Sequence, residues 1–176
     1  MSGADAPIDL REATGEDQPF LALMMFYAAH MDEEGKNASD AAVMELPAAA
    51  QYVAQWGRPG DLGFVAIDSE SHLSVGAAWL RLFSSTGRAF GYINERTPEL
   101  AVGVRPSHRG RGIGKVLLQR LMTAAASNYV SVSLNVRASN PAVRLYERLG
   151  FRKVEGSDMV NRVGGHSFNM IAKLRA

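Results

Sequence analysis

The stretch "VRPSHRGRGIGK", Val104 to Lys115, places glycines at alternate positions 110, 112 and 114 among four arginine and lysine side chains. Each glycine costs roughly 1 kcal/mol relative to alanine inside a helix, and glycines weaken strands as well. The pattern therefore calls for bare backbone. Amides at the start of a helix have no intrahelical partner and carry partial positive charge. Phosphate oxygens can accept their hydrogen bonds where no Cβ blocks the approach. Gly110, Gly112 and Gly114 remove that obstacle, Arg109 and Arg111 add formal charge, and Pro106 limits the exit from the strand before it. The segment reads as strand, diphosphate-binding turn, helix. A P-loop would need glycine at Arg109 and Ser or Thr at Val116. The dinucleotide fingerprint would need G-x-G-x-x-G, and the spacing here is G-x-G-x-G. On these residues alone a solvated tight turn with incidental arginines stays open.

Outward from this turn the chain alternates helical and strand periods. Toward the N-terminus, "ELAVGV" (99–104), "LSVGAAWLRLF" and "LGFVAID" read as strands, the last two joined by "SESH" as a hairpin turn. The "SSTGRAFGYINERTP" segment is loop-like, with a strand fragment expected at Ala89–Ile93. Earlier still, Ile8–Glu12 alternates as a strand. Thr14 suits an N-cap for a helix over "GEDQPFLALMMFYAAHM". "DEEGKNASD" reads as a loop, and a second helix is expected within Leu46–Trp56, with Pro47 in its first turn. Toward the C-terminus, Ile113 to about Ser127 is a helix whose apolar face takes Ile113, Val116, Leu117, Leu121, Ala124 and Ala125. "VSVSLNV" (130–136) is a strand. Asn140-Pro141 caps a further helix that Gly150 closes, and "FRKV" and "HSFNMIAKL" are late strands. The order predicts a mixed α/β fold (α+β), a largely antiparallel central sheet flanked by helices. Its strand–helix–strand core is expected to cross over right-handed.

Composition bounds the function. The chain has 176 residues, 47% hydrophobic and 21% charged, with a formal net charge of +1. One domain over 1–176 is expected. The small net charge and the lack of interleaved aromatics argue against nucleic acid as a partner of "RGRGIGK". No cysteine is present, so disulfides, thiol nucleophiles and thiolate metal sites are excluded. His30, His72 and His166 share no metal-ligand spacing, and no metal is expected. "MSGADAPIDLRE" lacks the basic start and apolar run of a signal peptide. No run of 18 apolar residues suggests a membrane span. A cytoplasmic location is expected.

Two blocks carry a family resemblance. "VGVRPSHRGRGIGKVLL" resembles the central motif of the GCN5-related N-acetyltransferases, R/Q-x-x-G-x-G/A, here Arg109-Gly110-Arg111-Gly112-Ile113-Gly114. "LNVRASNPAVRLYERLGF" (134–151) resembles the next block of that family, an asparagine before a helix with Ala-x-x-Leu-Tyr, closed by Gly-Phe. The two occur in order on the expected elements, so independent cues agree. The resemblance implies a β-α-β acyl-CoA-binding core. Val102, Gly103 and Val104 would offer backbone groups to the pantetheine arm of acetyl-CoA. The turn from Arg109 to Gly114, with Lys115 after it, would hold the pyrophosphate. Asn140 would lie near the pantetheine or the thioester, although it stands six residues before Tyr146 where many members have seven. Tyr146 would sit beside the CoA sulfur as general acid. Glu99 would serve as base, directly or through water.

The implied reaction is attack of a primary amine on acetyl-CoA in a ternary complex, with no covalent enzyme intermediate. The acceptor would be a small molecule or a peptide amine, and a homodimer is common in similar proteins. The rival reading is a non-catalytic acyl-CoA-binding or sensing domain. From helix pattern alone Tyr146 is a core aromatic, with Ala142 and Leu149 on its face, and Glu99 could equally be a strand-end carboxylate in solvent. Glu95, Asp61 and His108 are lesser candidates, His108 being expected to face the cofactor. As an acid, Tyr146 (reference pKa ~10) would transfer its proton to a thiolate (~8.5) only uphill, by roughly 2 kcal/mol. The acceptor pocket is expected from the first two helices and from segment 84–97. Met24 to Tyr27, Trp56, Trp79, Arg81 and Phe83 are divided between core and pocket.

Overall fold

The computed structural model describes residues 7–175. Residues 1–6, which fall in the stretch read for a leader, and residue 176 lie outside them. Among the described residues no helix is long and apolar enough to cross a membrane. The chain divides into two compact units. One takes the residues up to Leu80 with Ala101–Leu121, and the other takes Arg81–Leu100 with the residues from Met122 onward.

The first unit opens with β1 (Ile8–Glu12), α1 (Gln18–Ala28), α2 (Asp40–Met44) and α3 (Pro47–Ala50). Thr14 begins a 3-10 turn over Gly15–Asp17 rather than α1 itself. The Asp17 carboxylate accepts from the Thr14 amide at 2.7 Å and from the two terminal Arg11 guanidinium nitrogens at 2.8 Å. Those bonds, Arg11 first, hold its pKa below the usual carboxylate range. Then come β2 (Leu62–Asp68) and β3 (Ser74–Arg81), antiparallel with Gly63 opposite Trp79. The strand β4 (Glu99–Val104) and the helix α4 (Ile113–Ala125) straddle the two units. The second unit continues with β5 (Ser131–Arg137), α5 (Val143–Arg148), β6 (Arg152–Lys153), β7 (Met159–Val160) and β8 (His166–Lys173). Hydrogen bonding orders the strands β1-β2-β3-β4-β5-β8-β6, with β7 on β8. The β4–β5 pair is parallel, registered at Glu99 opposite Ser133. The β1–β2, β2–β3, β5–β8, β6–β8 and β7–β8 pairs are antiparallel. The expected mixed α/β architecture is the one found.

Several local expectations are corrected. The helix expected within Leu46–Trp56 is found there as α3, with Pro47 in its first turn; it is short, because the Tyr52 and Val53 amides bond three residues back, to Ala49 and Ala50, and residues 51–55 are turns. The "DEEGKNASD" loop contains a 3-10 turn at Met31–Glu34 and the start of α2, whose N-cap Ser39 accepts from the Ala42 amide at 3.1 Å. No strand forms at 89–93. There the Gly91 amide donates to Glu99 Oε1 at 2.8 Å and its carbonyl accepts from Ser133 Oγ at 2.7 Å, so side chains take the place of a ladder. On α4, Val116 is 44% exposed and Leu118 is buried. At 100° per residue Val116 lies about 120° from the centre of the stripe formed by Ile113, Leu117, Leu121 and Ala125.

The core of the first unit explains the consecutive large residues of α1. Met24, Met25 and Phe26 are all buried, and Tyr27 is half-buried, edge-on to Phe26 with ring centroids 5.4 Å apart. Trp79 is fully buried and donates its indole N–H to the Tyr52 carbonyl at 3.0 Å. A close approach fixes the strand to the helix, since a Cβ on Gly103 would overlap the carbonyl of Met24. Gly103→Ala is expected to destabilise the protein by about 2–3 kcal/mol, as overpacking against unyielding backbone does. A urea midpoint unchanged from the native protein would contradict this contact.

Candidate functional site

The glycine turn belongs to the first unit. Arg105 leaves β4 with its amide bonded to the Val75 carbonyl at 2.8 Å and its Nε to the Ser74 carbonyl at 2.7 Å. A 3-10 turn over Pro106–His108 follows. Gly110 and Gly112 then adopt left-handed φ values of 75° and 77°. Gly114 does not, yet a Cβ at 110, 112 or 114 would meet nothing within 4 Å. Two of the glycines are therefore required by backbone conformation. No described residue requires the third. No described residue accepts a hydrogen bond from the amides of residues 110–115, as expected for the first turn of a helix. Bare, open backbone with unpartnered donors fits a phosphate group.

The side chains of the turn divide by task. Ile113 is buried in the core, so only its backbone can serve a ligand. Arg111 and Lys115 are exposed. Arg109 folds back onto its own unit, its guanidinium 5.5 Å from the Tyr27 ring centroid and 3.6 Å from Asp32 Oδ2. His108 does not stand free toward a ligand either: Nδ1 is 2.8 Å from Ser107 Oγ and Nε2 is 3.2 Å from Asp68 Oδ2. Of the proposed strand residues, Val102 and Val104 are half-buried and Gly103 is buried against α1.

The second unit holds the candidate acid and base. Glu99 is 2% exposed, so it is not a carboxylate in solvent. Its Oε1 accepts from the Gly91 amide. A Cβ on Gly91 would come within 2.7 Å of that oxygen and 2.9 Å of the Leu134 backbone. Loop 89–94 is thus fastened to Glu99 and, through Ser133, to β5. Tyr146 sits on α5, 7% exposed, with its ring against Phe151 at a centroid distance of 5.9 Å. Its hydroxyl bonds to no described residue. Burial pushes its pKa up to about 12. Gly150 closes α5, its amide reaching Glu147 O at 3.1 Å while the Phe151 amide reaches Tyr146 O at 3.0 Å, a double bond pattern that ends helices at glycine. Contrary to expectation, Asn140 is not the N-cap of α5, because the helix starts at Val143 after Ala142; instead its Oδ1 accepts from the Ala142 amide at 2.8 Å and shapes the turn before the helix.

Tyr92, Glu95, Thr97, Tyr129 and Ser131 line an open groove of about 980 Å³ in the same unit. Sequence reading placed segment 84–97 near a pocket but missed the contribution of residues 128–131, which lie in the turn after α4 and at the first residue of β5. The lesser base candidates are engaged elsewhere. Asp61 accepts from the Gly57 and Arg58 amides at 3.0 Å, and Glu95 from the Ser85 amide at 3.0 Å.

Comparison with known proteins decides the family. The model described as acetyltransferase (GNAT) domain matches residues 59–153, more than half of the chain and spanning the glycine turn and α5. This protein belongs to the GNAT acetyltransferase family. Solved GNAT structures share its fold. The ribosomal-protein-alanine N-acetyltransferase of Brucella melitensis is similar at 23% identity and a TM-score of 0.68, over 94% of this chain and 99% of that one. YncA of Salmonella typhimurium, solved with its cofactor acetyl-CoA, is similar at 21% identity and a TM-score of 0.67, over 95% and 94%. Spermidine/spermine N-acetyltransferase SpeG of Vibrio cholerae is similar at 21% identity and a TM-score of 0.60, over 97% and 94%. No curated protein sequence matches the chain.

The glycines of this GNAT turn separate by experiment. Alanine at 110 or 112 is expected to cost about 1 kcal/mol each for the left-handed backbone, whereas alanine at 114 costs nothing or stabilises slightly. Equal destabilisation at all three positions, measured by thermal unfolding, would contradict the assignment.

Proposed function

We propose that this GNAT domain transfers the acetyl group of acetyl-CoA to a primary amine by direct attack. The observation that carries the reading is Gly114, which no described neighbour requires to be bare, among six amides without a partner in the described residues. The amides of residues 110–115, with Arg111 and Lys115, hold the diphosphate of the donor. Arg109 adds charge while staying tied to Tyr27. Val102, Gly103 and Val104 offer backbone groups to the pantetheine arm, and Asn140 stands on the thioester side.

The chemistry has three requirements. The amine, with a reference pKa of ~10.4 in a lysine-like acceptor, must lose a proton before it attacks. We assign that proton to Glu99 through water, since its side chain is buried and one oxygen is held by the Gly91 amide. The carbonyl oxygen needs donors as it becomes negative, a task that backbone amides perform. The thiolate leaves beside Tyr146. With the hydroxyl pKa at about 12, full proton transfer to a thiolate of ~8.5 is uphill by about 5 kcal/mol. Tyr146 therefore works by donating a hydrogen bond as charge develops on sulfur. The groove beside loop 89–97 is where we place the acceptor, a small molecule or a peptide amine.

Calorimetry with CoA and thiol release from acetyl-CoA over a panel of amines test the reading. Gly114→Val is expected to weaken CoA binding at least tenfold without loss of stability. It is a cleaner probe than the same change at Gly112, where valine also strains the left-handed backbone. Tyr146→Phe is expected to lower kcat by about 10–100-fold. CoA binding with no turnover on any amine would support an acyl-CoA sensor instead.

The pH profile follows from the signs. Deprotonation of amine and base raises kcat with pH. A raised tyrosine pKa keeps the hydroxyl protonated, and donating, up to about pH 10, so no loss of rate is expected before then. A descending limb near pH 8.5 that disappears in Tyr146→Phe would overturn this role.

A further inference from the structure

The residues just ahead of the glycine turn are tied to the β2–β3 hairpin. Asp68 ends β2, and its Oδ1 accepts from the Glu70 and Ser71 amides at 2.9 and 3.0 Å, which fixes the hairpin turn. Its other oxygen, Oδ2, is 3.2 Å from His108 Nε2. An ionised carboxylate can only accept, so Nε2 carries the proton and donates. In neutral His108, Nδ1 is then the acceptor, and the Ser107 hydroxyl donates to it over 2.8 Å. Both partners of the Asp68–His108 pair are largely shielded, with side chains 9% and 16% exposed. On the same hairpin, Ser74 and Val75 receive the two bonds from Arg105. Three hydrogen bonds therefore join residues 68–75 to residues 105–108, and His108 makes the last of them, two residues before Gly110. Asp68 is also held below the usual carboxylate range, chiefly by the Ser71 amide and in part by His108. The carboxylate acceptor thus stays ionised well into mildly acid pH.

We propose that His108, through its bond to Asp68, is a positioning residue for the donor: it braces the Arg109–Gly114 turn in the shape that receives the diphosphate of acetyl-CoA. The inference rests on the proposed role of that turn. Its physical basis is the conformation of the turn itself. With glycine at 110 and 112 in left-handed conformations and open space around both, the turn has little internal restraint, because glycine is permissive. Its shape must then be imposed from its ends. The helix α4 fixes one end and the His108–Asp68 bond fixes the other.

A truncated donor tests this. Acetylpantetheine carries the thioester without the diphosphate, so a brace acting on the diphosphate turn affects acetyl-CoA and spares acetylpantetheine. In His108→Ala, kcat/KM for acetyl-CoA is expected to fall about tenfold, mostly through KM, the size of one lost charge-assisted bond. The value for acetylpantetheine is expected to stay within twofold of native. His108→Gln, which keeps an N–H donor at similar reach to Asp68, is expected to recover most of the loss. Equal losses with both donors, no loss with either, or a glutamine variant as impaired as alanine would overturn the brace. If the native protein itself shows no preference for acetyl-CoA over acetylpantetheine, the diphosphate role of the turn fails instead. The two failures are thus distinguishable. Should His108→Ala not fold, the same ratio of donors measured on His108→Gln and Ser107→Ala decides the matter: Ser107→Ala removes only the orienting bond to Nδ1 and is expected to shift the ratio in the same direction by a smaller factor, and an unshifted ratio in Ser107→Ala with a native-like glutamine variant would count against the brace.

Discussion

Six consecutive backbone amides at the mouth of α4, residues 110–115, have no acceptor among the described residues. Most of what is distinctive about the first unit can be traced to keeping those donors open. Glycine at 110 and 112 supplies a backbone conformation that other residues resist. Glycine at 114 supplies nothing but room. Ile113 is drawn into the core, which anchors the helix start without crowding its outer side. The two arginines ahead of them, Arg105 and Arg109, are folded onto Ser74 and Tyr27 respectively. Charge is present, but the hydrogen-bonding surface is main chain.

The second unit solves a different problem, that of holding an acidic group in a dry interior. Glu99 is buried at the start of β4, and a charge there is costly without donors. The Gly91 amide is one such donor, and the lack of a side chain at 91 is what lets it come close. Ser133, opposite Glu99 in the parallel register, completes the fastening through the Gly91 carbonyl. The same burial that protects Glu99 also acts on Tyr146, where it holds the phenol in its protonated form. For Tyr146 the cause is desolvation alone.

The parts of this arrangement that are local in the chain could be read from sequence. The run from Glu99 to Ala125 shows its strand, its turn and its helix, because glycine spacing and apolar period are written into adjacent residues. The stop at Gly150 is local in the same way, whereas the start of α5 lies at Val143, with Ala142 rather than Asn140 as its N-cap. What escaped was non-local. That Val116 faces outward while Leu118 is buried depends on what packs against α4. That Ala89–Ile93 forms no strand depends on Glu99 and Ser133 claiming the Gly91 backbone across 8 and 42 residues of chain. His108 looked free to meet a ligand because its partner Asp68 lies 40 residues earlier. The short α2 was hidden in a polar stretch whose only helical signal was Ser39 ahead of Asp40.

The contact between Gly103 and Met24 reaches beyond packing. Helix α1 touches β4 at Met24 and, one turn later, carries the Tyr27 ring on which Arg109 rests. A laboratory evolution campaign that repacks α1 will therefore shift the strand and the glycine turn in the same step. Substitutions in α1 and substitutions in the turn should be epistatic, and libraries that vary the two separately will miss the productive pairs.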